Sequence, residues 1–546
     1  MADKNTAGGN KNKGQNFLTG AAIYTVGIVV VKILGAIYKI PLGNILDDYG
    51  FNLFDVTYKI YNVFLTIATA GLPVAMSRLI SEANSLGREQ QVKRTFTVST
   101  LTFMVLGAIG TILMLLFPGG MADWMGQPGA KTCIFIMAPS VVLVCVAAAY
   151  RGYAQGHSDM IPTTISQIIE TAVKVLVGLA CAGVLHAMGK SVELCAAGAI
   201  LGTTVSSLAA TAYMHFCVRR KYEVNPAVTE ESDKPDSRRK ILWDLLRIGI
   251  PITISTSIMS LVQLADAKIT LNQLQNALNL TAEAAGTLNG AYSKAMTIYN
   301  VPSAFVAPFV AAVVPAIAAA RVRGNREEVC GIAESSMRMC TLLCLPMGVG
   351  MAVLAGPIMN VLYPGSDAHG IVLLAELGAA CYFMAMSLMT NAILPANGNE
   401  RLPLISILCG AVAKVVVTYV LVGMPSVGIY GAPIGTISCY IVMVSSNLIF
   451  MRRKMARPIS ILRVLGKPFL SSAVMGVVAW GSYKLLGSAL SGAASRVINL
   501  YLPFIVAVGL AVVVYLVMII VTRSITKEDL LLMPKGEKIA KLLHIR

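Results

Sequence analysis

Long apolar runs recur along the whole of this 546-residue chain. Each run is long enough to cross the roughly 30 Å hydrocarbon layer of a bilayer as a helix, and unpaired backbone groups are too costly in lipid for an open alternative. A β-barrel would instead show alternating segments of about ten residues. Only 13% of the residues are charged, whereas soluble domains carry roughly 25%. The sequence therefore predicts an all-α polytopic membrane protein and not a soluble enzyme.

The runs predict about fourteen transmembrane helices, arranged as two pseudo-symmetric six-helix lobes and a C-terminal helix pair. The N-lobe would comprise residues 17–218, the C-lobe residues 245–451, and the segment with the final pair residues 452–522. The predicted spans are 17–40, 54–80, 95–117, 132–154, 162–186, 195–218, 245–271, 287–320, 334–355, 368–395, 402–423, 430–451, 464–486 and 497–522.

The net charge of +17 lies mostly in short loops between the spans. In a soluble protein it would suggest nucleic acid, but no arginine–aromatic stripe or known nucleic-acid motif is present. Basic residues concentrate after the even-numbered spans, as the positive-inside rule requires of cytoplasmic loops. Examples are Arg88, Arg94, Arg219, Arg239, Arg323 and Arg453. We expect a multi-pass protein of the bacterial plasma membrane with both termini in the cytoplasm and no nucleic-acid partner.

Three polar segments lie outside the spans. Residues 1–16 are expected to form a disordered cytoplasmic tail, and residues 219–244 a cytoplasmic linker too small to bury a core. In residues 523–546, Thr526 and Asp529 have the spacing of a capping box. We expect this segment to form an amphipathic helix on the cytoplasmic surface, with a solvated tail as the alternative. The first apolar run shows no signal-peptide cleavage site and is interpreted as the first span.

The eleven cysteines lie mostly inside apolar spans, where a thiol packs as a small apolar group. Cys340 and Cys344 are one helical turn apart, but no second pair supplies the spacing of a zinc site. The five histidines are scattered along the chain. We therefore expect no disulfide, no metal, no cofactor and no catalytic residues.

The two six-span halves resemble each other in sequence. Tyr61-Asn62-Val63 recurs as Tyr299-Asn300-Val301, at the same offset that relates Arg88-Glu89 to Arg326-Glu327. Because six spans per half is an even number, both halves run in the same direction, as in parallel-repeat transporters. That architecture favours a substrate path between two rocking lobes. Further matches are Lys174-Val175 with Lys414-Val415, and Gly198 and Gly202 with Gly431 and Gly435. Glycines four residues apart allow close helix packing.

Four lysines fall inside predicted spans, where a charge at the helix centre costs about 2.5–3.5 kcal/mol. They are Lys32, Lys59, Lys268 and Lys294, on spans 1, 2, 7 and 8. Lys32 and Lys268 occupy near-equivalent repeat positions, as do Lys59 and Lys294. We predict a shared cationic cavity with Lys32 and Lys268 at its core. The alternative is that these side chains snorkel to the interface.

Other polar residues complete the predicted site. Glu170 and Lys174 are four residues apart and are expected to pair. A wet cationic cavity selects an anion, and lysine binds pyrophosphate as a point charge. The candidate substrate-binding set also contains Asp266, Arg78, Asn62 and Asn300. Bends that would let the cavity open and close are expected at Pro251, Pro302, Pro308 and Pro315.

Four stretches carry a family resemblance: TGAAIYTVGIVVVKILGAIYKIPL, YNVFLTIATAGLPVAMSRLISE, YRGYAQGHSDMIPTTISQIIE and TKEDLLLMPKGEKI. In their order, they resemble the polysaccharide-biosynthesis branch of the MOP flippase superfamily, which includes lipid II flippases and sporulation proteins. The resemblance implies transport of an undecaprenyl-pyrophosphate-linked glycan, such as a lipid II-like peptidoglycan precursor, to the outer leaflet. It further implies a cationic cavity lined by spans 1, 2, 7 and 8, and a lipid-tail groove formed by spans 13 and 14. Those flippases mostly use arginines where this chain has lysines.

Two other functions are weighed against this interpretation. A cation-coupled multidrug exporter of the same superfamily would have twelve spans and intramembrane carboxylates that handle cations. A membrane glycosyltransferase or ligase would need a catalytic set on a large external loop, which this sequence lacks. The flippase interpretation also predicts membrane lipids and cell-wall synthesis enzymes as partners, and a monomeric protein.

Overall fold

The computed structural model describes residues 27–222, 234–490 and 497–525, and these are almost entirely helical. The helices are α1 Gly27–Ile45, α2 Asp47–Thr69, α3 Leu72–Ser85, α4 Glu89–Leu116, α5 Pro118–Trp124, α6 Lys131–Gly156, α7 Ile161–Ala187, α8 Val192–Lys221, α9 Arg238–Asn276, α10 Ala282–Tyr299, α11 Val301–Val322, α12 Arg326–Val353, α13 Ala355–Leu362, α14 His369–Ala396, α15 Leu402–Val422, α16 Gly431–Lys454, α17 Ile461–Leu490 and α18 Leu502–Val521.

Fourteen helical segments of the described chain are long and apolar enough to cross a membrane. The predicted number of spans is therefore confirmed. Two spans are broken helices, one into α2 and α3 and the other into α10 and α11. Pro73 and Pro302 stand in the first turns of the second pieces, where a missing N–H costs no helical hydrogen bond. In the second of these spans the break is at Asn300, whose Nδ2 donates to the carbonyl of Met296 at 2.8 Å.

The chain divides into two compact units between Lys268 and Ile269. In the first unit α4 packs on α6, α6 on α8, and α7 on α8. In the second unit the corresponding helices repeat this order, with α12 on α14, α14 on α16, and α15 on α16. The expected pair of pseudo-symmetric helical lobes is thus confirmed by the packing inside each unit.

The repeated glycines lie at the tightest of these contacts. A Cβ at Gly202 would lie 2.5 Å from the Cα of Gly178 on α7, and a Cβ at Gly435 would meet the hydroxyl of Thr418 on α15. The threonines that follow these glycines in sequence also make equivalent contacts in the two units. The Tyr58 hydroxyl hydrogen-bonds Thr203, and the Tyr292 hydroxyl lies 3.2 Å from that of Thr436. These glycines therefore serve close packing, as their spacing predicts.

Most of α9 belongs to the first unit by its contacts, although the sequence repeat assigns it to the second half of the chain. The hydroxyls of Thr66 and Ser260 are 2.9 Å apart. At the start of α3, a Cβ on Gly71 would meet the carbonyl oxygen of Gly249 and lie 2.5 Å from the Thr253 hydroxyl. The backbones of the broken span and α9 therefore approach directly at this level.

The C-terminal helix pair packs on α12. A buried cluster joins Leu342 of α12 to Met475 and Ala479 of α17 and to Tyr515 of α18. The Tyr515 hydroxyl donates to the backbone carbonyl of Leu342 at 2.6 Å. The apolar burial in this cluster and the hydrogen bond of the Tyr515 hydroxyl both hold the helix pair against α12.

The cytoplasmic segments predicted from sequence lie partly outside the described residues. These are the tail 1–16, the linker residues 223–233 and the tail from 526 onward. Before the linker, α8 ends at Lys221, and after it α9 begins at Arg238. The short stretch before α9 is attached to α4, since Arg88 Nη2 donates to the carbonyl of Lys234 at 2.8 Å and Gln91 Oε1 accepts from the amide of Asp236 at 2.7 Å.

Candidate functional site

A cavity of ≈ 570 Å³ opens among α1, α2, α3, α6 and α7 of the first unit. Its charged lining residues are Lys32, Arg151, Glu170 and Lys174. Three cations and one carboxylate give these side chains a positive formal charge. The amides of Gln155 and Gln167 and the hydroxyls of Thr163 and Thr171 add hydrogen-bonding groups. The lining is therefore suited to a hydrated anion.

Arg151 and Glu170 form an ion pair across α6 and α7. Arg151 Nη2 is 2.7 Å from Glu170 Oε2 and 2.9 Å from the Ser166 hydroxyl, and both charged side chains are largely shielded from solvent. The expected pairing of Glu170 with Lys174 is wrong, because the arginine on the neighbouring helix provides a closer partner. Lys174 instead lies with its Nζ 6.0 Å from the centre of the Tyr38 ring.

Lys32 is the most available cation of the cavity. Its side chain is exposed on α1, and it forms no ion pair with any residue of the described ranges. The Arg151 guanidinium already binds the Glu170 carboxylate, so the cavity's acid does not neutralise Lys32. Lys32 is therefore the cavity cation that is most accessible to an incoming anion, and Lys174 and Arg151 line the same cavity.

Lys59 does not line this cavity. Its Nζ lies 2.8 Å from Asp55 Oδ2 one turn earlier on α2, and Lys39 Nζ is 4.0 Å from the same carboxylate. Sequence reasoning missed Asp55, although its spacing from Lys59 is that of a helical ion pair. The pair reduces the charge that Lys59 can offer to a ligand.

Lys268 and Lys294 each face an aromatic ring. Lys268 Nζ is 5.6 Å from the centre of the Trp124 ring, and Lys294 Nζ is 5.5 Å from the centre of the Tyr363 ring. Lys294 is only 2% exposed and Asp266 only 5% exposed. Cation–π contact lowers the cost of holding a lysine in a dry environment. Lys268, like Lys59, is not among the residues around Lys32.

The remaining predicted site residues lie apart from the Lys32 cavity. Arg78 is well exposed on α3 and pairs with Glu82 at 3.0 Å. Asn62 is half-buried on α2, where its backbone carbonyl accepts from the Thr66 hydroxyl at 2.6 Å. Asn300 is exposed at the break between α10 and α11. None of these three lines the cavity.

Arg151 is the main cavity residue that sequence reasoning missed. It lies near the end of an otherwise apolar span, where an arginine is rare enough to mark a functional position. No group of three or more metal-binding side chains occurs in the described part of the chain. The charged chemistry available here is the binding of an anion by fixed cations.

The fold and these charged spans define a multi-pass membrane protein with two repeat-related helical units. Among solved structures, the lipid II flippase MurJ in an inward closed conformation superposes with a TM-score of 0.66 at 14% identity, covering 91% of this chain and 98% of that one. An inward-facing MATE multidrug resistance transporter of the MOP superfamily gives a TM-score of 0.62 at 17% identity, covering 78% and 97%. These likenesses show that the chain shares the fold of these two transporters.

The model of the polysaccharide biosynthesis protein family matches residues 17–320, and the chain belongs to that family. Three Bacillus subtilis proteins are similar over most of their length. The uncharacterized membrane protein YabM is 26% identical over 96% of each chain. Stage V sporulation protein B is 26% identical over 95% of this chain and 98% of its own. The lipid II flippase MurJ is 23% identical over 84% of this chain and 87% of its own.

Proposed function

We propose that this protein moves an undecaprenyl-pyrophosphate-linked glycan, similar to lipid II, from the inner to the outer leaflet of the plasma membrane by alternating access. The observation that carries the proposal is the Lys32 cavity, which is lined by an accessible lysine, by Lys174 and by Arg151 in its ion pair with Glu170. Such a lining matches the multiple negative charges of a pyrophosphate. Its relatives include one named as a lipid II flippase, which supports the same substrate class.

The predicted set of site residues belongs to this proposal. Lys32 would make the first contact with the head group, and Lys268 the repeat-related one. Lys59 and Lys294 would flank them, with Asp266, Arg78, Asn62 and Asn300 shaping the path. In this proposal the protein is a transporter without a catalytic step. It would act as a monomer and hand its product to cell-wall synthesis enzymes.

A cation-coupled multidrug exporter is the alternative, because the MATE fold is similar. Such an exporter needs an intramembrane carboxylate that is free to bind and release a cation. In the cavity described here, the carboxylate of Glu170 is 2.7 Å from an arginine. A resident guanidinium competes with a coupling cation for that position, so the cavity favours the flippase.

The test is flipping of a fluorescent lipid-linked pyrophosphate by purified protein in liposomes. We compare the wild type with Lys32→Ala, Lys268→Ala and a control, Lys190→Ala, which removes an exposed lysine between α7 and α8. Loss of one charge-assisted contact weakens binding by about 1.5–3 kcal/mol, which corresponds to about 10- to 150-fold. Near-wild-type flipping by both Lys32→Ala and Lys268→Ala at matched protein density would remove these lysines from the mechanism.

A further inference from the structure

A second basic cavity, of ≈ 510 Å³, lies at one end of the C-terminal helix pair. Four of its seven lining residues are cationic, and none is acidic. The cations are Arg338, Arg463, Lys467 and Arg523. Three of these cations, Arg463, Lys467 and Arg523, belong to the C-terminal helix pair, where like charges repel one another, and a bound anion would relieve that repulsion.

The packing of three helices places these cations together. Arg463 and Lys467 stand in the first two turns of α17, and Arg523 follows the end of α18. Lys467 Nζ donates to the backbone carbonyl of Arg523 at 3.3 Å. One turn deeper, the hydroxyls of Ser471 and Thr522 are 3.3 Å apart. The start of α17 and the end of α18 are therefore held at the same level beside Arg338 of α12.

Apolar side chains surround this basic level on the outer face of α17. Leu462, which lines the cavity, is 81% exposed, and Phe469 and Leu470 are 57% and 54% exposed. Large apolar side chains on a span face acyl chains, while arginines and lysines at its end lie at head-group depth. The cavity is therefore open to a molecule with a charged head and an apolar tail.

We propose that this cavity binds the phosphate of an anionic phospholipid, with the acyl chains lying over Leu462 and Phe469. Arginine and lysine donors are the groups that recognise phosphate oxygens, and basic pockets between helices at the cytoplasmic side of a membrane bind anionic head groups. Under the predicted orientation the lipid belongs to the cytoplasmic leaflet. This lipid site lies on the second unit and shares no lining residue with the Lys32 cavity.

The test measures phospholipid binding by the full-length protein. Purified protein in neutral phosphatidylcholine nanodiscs is titrated with phosphatidylglycerol, and retained lipid is counted by native mass spectrometry. The cavity variant is Arg463→Gln with Lys467→Gln. The control is Arg452→Gln with Arg453→Gln, which removes the same charge from the exposed end of α16. We expect the cavity variant to bind phosphatidylglycerol at least about ten-fold more weakly, and the control to bind it within two-fold of the wild type.

Two results would overturn the proposal. The first is equal phosphatidylglycerol binding by the wild type and the cavity variant. The second is competition by inorganic phosphate at concentrations equal to those of the lipid, which would identify a site for a free anion.

A conservative variant distinguishes a loss of lipid binding from a folding defect. Lys467→Arg keeps the charge and should retain phosphatidylglycerol binding. If Lys467 acted only by packing its aliphatic stem, the arginine and glutamine variants would bind phosphatidylglycerol equally well. Lys32→Ala should bind phosphatidylglycerol as the wild type does. Failure of this proposal and failure of the flippase proposal therefore give different results.

Discussion

Lys59 Nζ lies 2.8 Å from Asp55 Oδ2 on the same face of α2. The two side chains are only 18% and 14% exposed, so each charge depends on the other more than a surface pair would. Lys32 differs, because it is exposed to the cavity and has no ion-pair partner among the described residues. Two lysines that look alike in sequence thus have different surroundings.

We predict that Lys59→Ala lowers the amount of folded protein, whereas Lys32→Ala leaves it unchanged. Truncating Lys59 leaves the Asp55 carboxylate with a weaker partner in a poorly hydrated position, which costs about 1–3 kcal/mol. The measurement is membrane abundance and thermal stability of tagged variants. The double variant Asp55→Ala with Lys59→Ala should regain much of the loss, because the carboxylate that has lost its closest cation is removed as well.

A different pattern would assign Lys59 to the substrate. If Lys59→Ala is as abundant as the wild type but flips lipid more slowly, its predicted flanking role in the anion site is supported instead. Flipping assays at matched protein density distinguish the two outcomes.

The comparison of these lysines also shows what the sequence could predict. The fourteen spans follow from hydropathy alone, and the packing at Gly202 and Gly435 follows from the repeat. The pair of Asp55 with Lys59 could have been predicted, because helical spacing places residues four apart on one face. The pair of Arg151 with Glu170 could not, because it joins two helices whose relative rotation depends on the packing of the whole unit.

Gly71 provides a second prediction. A Cβ at this position would lie 2.8 Å from the backbone nitrogen of Thr253 and closer to the carbonyl oxygen of Gly249. Backbone atoms cannot rotate away, so Gly71→Ala should separate α3 from α9 and cost about 1–3 kcal/mol. The measurement is the thermal unfolding midpoint in detergent. Gly35→Ala is the control, since no described atom lies within 4 Å of its Cβ; equal midpoints for the two variants would contradict the prediction.

Asp159 gives a pH-dependent prediction. Burial alone would raise the pKa of this loop carboxyl, but hydrogen bonds from Lys221 and Tyr222 outweigh it and hold the pKa below its ordinary value. A lowered pKa in the folded state adds stability at pH values above the unfolded pKa, and this stability is lost as pH falls through the folded pKa. Asp159→Asn should therefore cost about 1 kcal/mol at pH 7.

The difference between the wild type and Asp159→Asn should shrink as the pH falls below about 4, where the unfolded carboxyl begins to bind a proton. Thermal unfolding of both proteins at pH 7 and in a series of acidic buffers measures it. A difference that grows on acidification would contradict the sign of this linkage.

The orientation of the chain is a further prediction. The basic segments near Arg88 and Lys221 should face the cytoplasm because positive charge is retained on that side. Reporter fusions at Arg239 and after Arg546 should both give cytoplasmic signals. An external signal at either position would overturn the predicted topology, and with it the leaflet assigned to the phospholipid site.

Transport should respond to the membrane potential. Moving one elementary charge across 100 mV is worth about 2.3 kcal/mol, and the Lys32 cavity carries a positive formal charge when empty. A negative cytoplasm would draw this empty cavity inward, and a bound pyrophosphate would neutralise it and release the protein to open outward. If only part of the field is crossed, the bias is still roughly 1 kcal/mol for each charge.

Collapsing the potential in vesicles with the pH gradient held constant should therefore slow turnover several-fold. In Lys32→Ala, the same treatment should slow turnover by a smaller factor. The control is a vesicle with the same ionophore but no imposed potential. A turnover rate that does not change when the potential is removed would show that the cavity charge does not drive the return step.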